Sequence, residues 1–172
     1  MDIALVRLPE VDEQAVITLA NDPTARRYLA MEGEYTVADH REWVADKERH
    51  WAQSGYGVWG VLVDGHYAGW GGLQSWRGAD VELAVVLAPR HWGLGRRLGA
   101  HFARVAFDDL HLPSVIVLLP TWRKNRRAIL RFGFRYDGED EFQGERFERY
   151  RLLREHAGAL RRLPRVGEPQ RR

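Results

Sequence analysis

Residues 81–99 read VELAVVLAPRHWGLGRRLG, and the fold turns on how this stretch is parsed. Its first eight residues, 81–88, are β-branched and apolar, the composition of a strand. Pro89 ends the run. From 94 to 110 the apolar residues Leu94, Leu98, Phe102, Val105 or Ala106, and Leu110 return at helical spacing. Gly93 and Gly95 sit at the junction, with Arg90, Arg96 and Arg97 around them. Glycines there serve one of two ends. They let a turn tighten, or they open the start of a helix to an anion. A helix start exposes unpaired N–H groups and a partial positive charge, and glycine has no Cβ to hold a phosphate away. The residues themselves leave both readings open. They exclude two others: Leu98 stands where a dinucleotide fingerprint needs its third small residue, and the Gly-Lys-Ser/Thr ending of a P-loop is missing.

Outward from this junction the elements alternate. Residues 3–8 (IALVRL) predict a strand. Residues 9–22 predict a helix with Val11, Ala15, Val16 and Leu19 on one side, stopped at Asn21-Asp22-Pro23. A second helix is expected over 37–52, with Thr36 as N-cap and Asp39 completing an approximate capping box. Residues 56–63 and 66–76 read as two strands around the turn Asp64-Gly65. Residues 114–120 (SVIVLLP) are continuously apolar, as a buried central strand is. A helix over 123–132 ends at Gly133, and 134–142 and 145–153 flank a Gln143-Gly144 turn. This order predicts one α/β (α+β) domain over 1–156, with helices on both faces of a mixed, mostly antiparallel sheet. Residues 157–172 are expected to be a basic, flexible tail.

Composition narrows the function. The chain of 172 residues holds no cysteine, so a thiol nucleophile, a disulfide and a cysteine-bound metal are excluded. No apolar run reaches the roughly 18 residues a membrane helix needs, and residues 1–13 lack the pattern of a signal peptide. The expectation is a cytoplasmic protein without a membrane partner or a metal. Charge is uneven: residues 1–120 carry 11 Lys/Arg against 16 Asp/Glu, and 121–172 carry 15 against 8. An anionic partner for the second part explains this, and so does an arginine-rich coding bias. Nucleic acid ranks last as that partner, because no aromatic residues interleave with the basic run after 154.

Arg90-His91-Trp92-Gly93-Leu94-Gly95 fits Arg/Gln-x-x-Gly-x-Gly/Ala, and here the chain resembles the GNAT superfamily of N-acetyltransferases. The segment FGFRYDGE (132–139) is similar to the motif that closes that family's later helix. Residues 5–29 and 56–73 resemble its ribosomal-protein N-terminal acetyltransferase (RimJ/RimL-like) branch. The resemblance covers about residues 3–154.

The resemblance implies acetyl transfer from acetyl-CoA to a primary amine, of a protein N-terminus or a small molecule, by direct attack in a ternary complex. It implies a V-shaped gap between the fourth and fifth strands, with Val85, Val86 and Leu87 along the pantetheine arm. The amides of residues 91–96 would grip the pyrophosphate in a turn lined by Arg90, His91, Trp92, Gly93, Leu94, Gly95, Arg96 and Arg97. Trp92 reads equally as a packing residue at the base of that turn. The attacking amine must lose a proton, since a lysine ammonium has a pKa near 10.4 and an α-ammonium near 8. Glu82 is the first candidate base, with Asp140 and Glu141 as rivals; an ion-paired or solvated carboxylate is the alternative for each. Acids Glu32, Glu34 and Asp39 are placed to meet a cationic acceptor, and Trp43, Trp51, Trp59 and Trp70 are expected in the core.

The later helix departs from the family pattern. Counted back from Gly133, the usual Asn is Trp122 and Asn125 takes the Ser position; in a second register, a turn shorter before Gly133, Asn125 and Ala128 form the family's Asn-x-x-Ala, and in both Asn125 is a polar contact for the cofactor. The tyrosine that protonates the thiolate in many relatives aligns with Ile129, so that role is vacant. Arg123, Lys124, Arg126 and Arg127 form either a 3′-phosphate site or a solvated helix face. These departures keep a second function open, a non-catalytic acyl-CoA-binding protein of the same fold. Monomer and homodimer both remain open.

Overall fold

The computed structural model describes residues 1–27, 33–123, 126–163 and 166. Strand β1 (Ile3–Val6) leads through a 3-10 turn (Leu8–Glu10) to helix α1 (Glu13–Ala20). The Asp12 carboxylate accepts the Ala15 N–H at 3.1 Å, so α1 starts four residues later than the apolar pattern predicts. It buries Val16, Ile17 and Ala20, and the expected Ala15 and Leu19 are only half-buried. Asp22 caps the short α2 (Pro23–Arg26). Helix α3 (Val37–Ser54) opens on the predicted box: the Asp39 N–H donates to the Thr36 hydroxyl, and the Thr36 N–H to the Asp39 carboxylate. Gly55, at φ +73°, closes it.

Next come β2 (Val58–Val63) and β3 (His66–Ser75), joined at Asp64 and Gly65, both with positive φ as a type I′ turn requires. After β4 (Val81–Leu87) and a 3-10 turn (Pro89–Leu94) comes α4 (Gly95–Arg104), continued by a π-helical turn (Val105–Asp109). The single apolar stripe over 94–110 is therefore three conformations in one run. Strand β5 (Ser114–Pro120) precedes α5 (Arg127–Arg131), which is shorter than the predicted helix because a turn closes first, with the Arg123 N–H donating to the Pro120 carbonyl. Strands β6 (Arg135–Phe142) and β7 (Glu145–Leu153) meet at Gln143-Gly144, again both at positive φ.

Among the described residues the sheet has seven strands in the order β1-β2-β3-β4-β5-β7-β6. All neighbours are antiparallel except β4 and β5, which run parallel and pair only at Glu82 and Ile116. Beyond that point the two strands diverge, and the predicted V is there. Helix α4 packs one face of the sheet. Helices α1 and α3 cover the other.

Strand β3 shows what packing demands of glycine. A Cβ on Gly71 would lie 2.8 Å from the Phe102 ring, and one on Gly72 would lie 2.2 Å from the Gly57 carbonyl oxygen. Gly72 also holds φ +157°. We expect Gly72→Ala to cost about 3 kcal/mol or more, from overpacking and backbone strain together. Urea denaturation checks this, with a lower midpoint at unchanged slope.

The tail expectation is corrected in part. Residues 154–162 form a 3-10 segment in which Ala157 and Leu160 are buried, and Val166 is buried beyond it. An Arg104 guanidinium N–H donates to the Leu160 carbonyl at 3.0 Å. Arginine content suggested fraying, but the apolar residues between the arginines dock the segment on α4. Among the described residues no helix is long and apolar enough to cross a membrane.

Candidate active site

The glycines of the turn after β4 are not required by packing. Gly95 lies in ordinary helical conformation, at φ −54° and ψ −36°. A Cβ added to Gly93 or Gly95 would meet nothing within 4 Å. Neither the backbone nor the packing requires glycine here, in contrast to Gly71 and Gly72. What the two glycines leave is open space over a helix start.

The donors around that space differ from a fully unpaired loop. The His91 N–H donates to the Ala88 carbonyl at 2.8 Å, and the Gly95 N–H to the Trp92 carbonyl. Two of the amides expected to face a pyrophosphate are therefore engaged within the 3-10 turn. Three arginines flank the turn in the chain. Arg96 lies over the Phe132 ring at 5.8 Å, and Arg90 Nε reaches His91 Nε2 at 3.0 Å. Arg97 Nε is buried without a hydrogen-bond partner among the described residues. A buried N–H in that state is costly until an acceptor arrives. Trp92 is 47% exposed, yet its indole N–H donates to the Leu87 carbonyl at 3.0 Å. It ties the turn to the end of β4 and leaves half its surface to solvent.

On β4, Val85 and Val86 are half-buried and Leu87 is buried; they pair with Gly71, Trp70 and Gly69 of β3. Their opposite edge has no β5 partner, because the one register pair is at Glu82. Glu82 thus stands at the apex of the gap. Its carboxylate accepts Gln74 Nε2 at 2.7 Å, and Gln74 Oε1 accepts Lys47 Nζ at 3.0 Å. Burial pushes the Glu82 carboxyl above the ordinary glutamate range, against a smaller downward pull from the Gln74 hydrogen bond and the Lys47 charge. Lys47 and Gln74 were not candidates on sequence. Gln74 is the polar interruption of an apolar strand, and the β3–β4 register puts it directly opposite Glu82.

His50 lies close by, with burial pushing its ring below the ordinary histidine range. Its Nε2 accepts the Ser75 N–H at 3.0 Å, which occupies the lone pair a base would use.

The rival acids stand elsewhere. Asp140 has an 8% exposed side chain, and its carboxylate accepts Arg149 Nη1 at 2.9 Å and Trp76 Nε1 at 3.2 Å. Arg77 approaches the same group at 3.6 Å. It clamps β6 to the β3–β4 turn. Glu141 is exposed, and its backbone carbonyl accepts from Arg77. Arg126 is paired with Glu148, through Nη2 to Oε1 at 2.7 Å, and Asp39 is used in the α3 cap. The Tyr150 hydroxyl donates to Glu148 at 2.7 Å, and burial together with Glu148 pushes its pKa up to about 12. Tyr136 is exposed and packs edge-on against Tyr150. Asn125, Lys124 and Glu32 lie outside the described residues. Trp43, Trp51, Trp59 and Trp70 are half-buried rather than in the deep core.

The sequence model of a family described as an acetyltransferase (GNAT) domain matches residues 3–135. Among solved structures, a spermidine N-acetyltransferase from Vibrio cholerae, in complex with CoA and spermine, is 18% identical with TM-score 0.72, covering 91% of this chain and 98% of its own. A GNAT-family acetyltransferase from Bacillus anthracis is 16% identical with TM-score 0.69, covering 90% and 96%. A candidate ribosomal-protein-serine acetyltransferase, also from Vibrio cholerae, is 12% identical with TM-score 0.71, covering 89% and 94%. At such identities the likeness is one of fold. No curated protein matches the chain in sequence.

Proposed function

The chain belongs to the GNAT acetyltransferase family and is an acetyl-CoA-dependent acyltransferase, and from that premise we propose that it acetylates a primary amine with Glu82 as the base. The observation that carries the reading is the open space over Gly93 and Gly95 at the start of α4. The CoA pyrophosphate fits there, against Arg90, Arg96, Arg97 and the amides of 91–96 that the turn leaves unused. The pantetheine arm follows the free edge of Val85, Val86 and Leu87 to the apex. Trp92 borders its path. The motifs at 5–29 and 56–73 support the ribosomal-protein N-terminal acetyltransferase branch.

The acceptor amine reaches the apex as an ammonium and passes one proton to Glu82, directly or through water. Its freed lone pair attacks the thioester carbonyl carbon. The C–S bond breaks as the tetrahedral adduct collapses, CoA leaves as the thiolate, and the amide nitrogen releases its second proton. A carboxyl raised above its usual range suits this task better than an ordinary glutamate, because it binds the amine's proton more strongly. The chain has no cysteine to form an acyl-thioester of its own. Without a tyrosine at Ile129, and with the Tyr150 proton held by Glu148, the thiolate takes its proton from solvent.

Thiol release from acetyl-CoA over an amine panel, alongside calorimetric CoA binding, tests the reading. Saturable binding without turnover on any amine would leave the sensor function instead. The relay to Glu82 gives a further prediction. Lys47→Met removes the cation that pulls Glu82 down and the hydrogen bond that orients Gln74. The acid limb of the pH–rate profile therefore moves to higher pH, while CoA affinity stays within about twofold. An unmoved acid limb would detach the relay from the base.

A further inference from the structure

On the face of the sheet that α1 and α3 cover lies a cavity of about 80 Å³. It is lined by Val16, Leu19, Tyr35, Trp43, Tyr67 and Trp70, among others, with Val86 of β4 on its wall. One water needs about 10–15 Å³ on this measure, so the space admits a group of several heavy atoms. It is also built. The Asn21 side chain at the end of α1 holds Tyr35 by two hydrogen bonds, donating to its carbonyl at 2.8 Å and accepting its N–H at 2.9 Å. His40 is buried and packs edge-on against the Tyr35 ring at 6.3 Å.

The Tyr67 hydroxyl is buried and has no hydrogen-bond partner among the described residues. Burial keeps it protonated, with its pKa pushed above the ordinary tyrosine value. A buried hydroxyl without a partner is costly, and Tyr67 is one of the residues that line the cavity. The cavity also lies on the same strand as the base. Residues 82, 84 and 86 share one face of β4, and Glu82 to Val86 spans about 13 Å. A group seated against Val86 lies that far along the strand from the apex.

We propose that this cavity seats the arm of the acceptor, so that the preferred substrate is a primary amine carrying a neutral, mainly apolar group with one hydrogen-bonding atom that meets the Tyr67 hydroxyl. This rests on the acetyl-transfer reading above. Among the described residues no carboxylate lines the cavity, so a second ammonium seated against those walls would be unpaired. The Trp43 and Trp70 rings lie 5.7 Å apart and pack on each other. Aromatic and aliphatic walls together with one protonated hydroxyl fit a phenol-like or hydroxyl-bearing apolar arm. Such an arm occurs in a small arylalkylamine and in a peptide with an aromatic first residue.

The test measures thiol release from acetyl-CoA with tyramine, phenethylamine, spermidine and short peptides beginning with Tyr or Ser. CoA affinity is measured separately by calorimetry. We expect kcat/KM for tyramine or for the Tyr-first peptide to exceed that for spermidine by at least tenfold; which of the two is higher tells a small amine from a protein N-terminus. In Tyr67→Phe the tyramine-to-phenethylamine ratio of kcat/KM falls about tenfold. Leu19→Trp fills the cavity and raises KM for the aryl amines, with CoA affinity intact. Spermidine as the better substrate, or an unchanged ratio in Tyr67→Phe, overturns the proposal and leaves acetyl transfer standing. Loss of CoA binding in the wild-type protein would remove the transfer reading itself.

Discussion

Gly95→Glu is expected to abolish measurable CoA binding while the protein stays folded, a loss of more than about 100-fold in affinity. Position 95 is the first residue of α4, in helical conformation, and nothing lies within 4 Å of where a Cβ would stand. A Cβ there therefore has room without displacing a packed neighbour. A carboxylate in the first turn of a helix also interacts favourably with the helix dipole. The same carboxylate would occupy the space assigned to a diphosphate and repel it. Gly95→Ala separates the two effects. It should raise stability by about 0.5–1 kcal/mol through reduced chain entropy, a shift of a few degrees in Tm for a domain of this size. Its one methyl should weaken CoA by about tenfold. Gly93→Glu should behave as Gly95→Glu does. Opposite signs in the melt and in the binding isotherm are the signature; micromolar CoA affinity retained in either glutamate variant would refute the pyrophosphate assignment.

The second large effect is at the apex. Glu82→Gln keeps the shape and an oxygen to accept from Gln74, but removes the base. We expect kcat to fall by about 10²–10⁴, the usual contribution of a positioned base. In the wild-type protein the rate rises with pH through the raised Glu82 value. That limb should vanish in the variant, and a pH–rate profile identical to wild type would show that Glu82 is not the base. Stability should move the other way. A carboxyl whose folded pKa lies above its unfolded value keeps a proton that the unfolded chain has released. Between those two values wild-type stability falls as pH rises. Glutamine carries no such proton, so Glu82→Gln should be more stable than wild type at neutral pH. The advantage should shrink as pH falls from the raised folded value to the ordinary glutamate value. Chemical denaturation at two pH values reads this out.

The two glycine sets show how a sequence can mislead and how coordinates correct it. In the strand AGWGG and in the turn WGLG the residue type is the same. In β3 a Cβ would strike the Phe102 ring or the Gly57 carbonyl; in the turn it would strike nothing. That difference depends on atoms distant in the chain, so no local pattern encodes it. The carboxylates divide in the same way. Asp140 and Glu82 both lie in strand-like stretches, and only the packed sheet brings Arg149, Trp76 and Arg77 to one and Gln74 with Lys47 to the other. The basic segment after 156 illustrates a different limit. Charge dominates its composition, yet Ala157 and Leu160 dock on a surface that exists only once α4 has packed.

Local rules determined the elements. Apolar period, the Asp64-Gly65 and Gln143-Gly144 turns, the Thr36 cap and the strand–turn–helix at 81–110 act over a few residues, so they are legible in the chain itself. The tertiary structure decided what depends on distant partners: the single β4–β5 pair that opens the V, the relay that holds Glu82, and the aromatic cavity beside it. Hydrogen bonds and burial between residues tens of positions apart set these, and the energy of burying a carboxylate or an unpartnered hydroxyl belongs to the whole fold rather than to any segment of it.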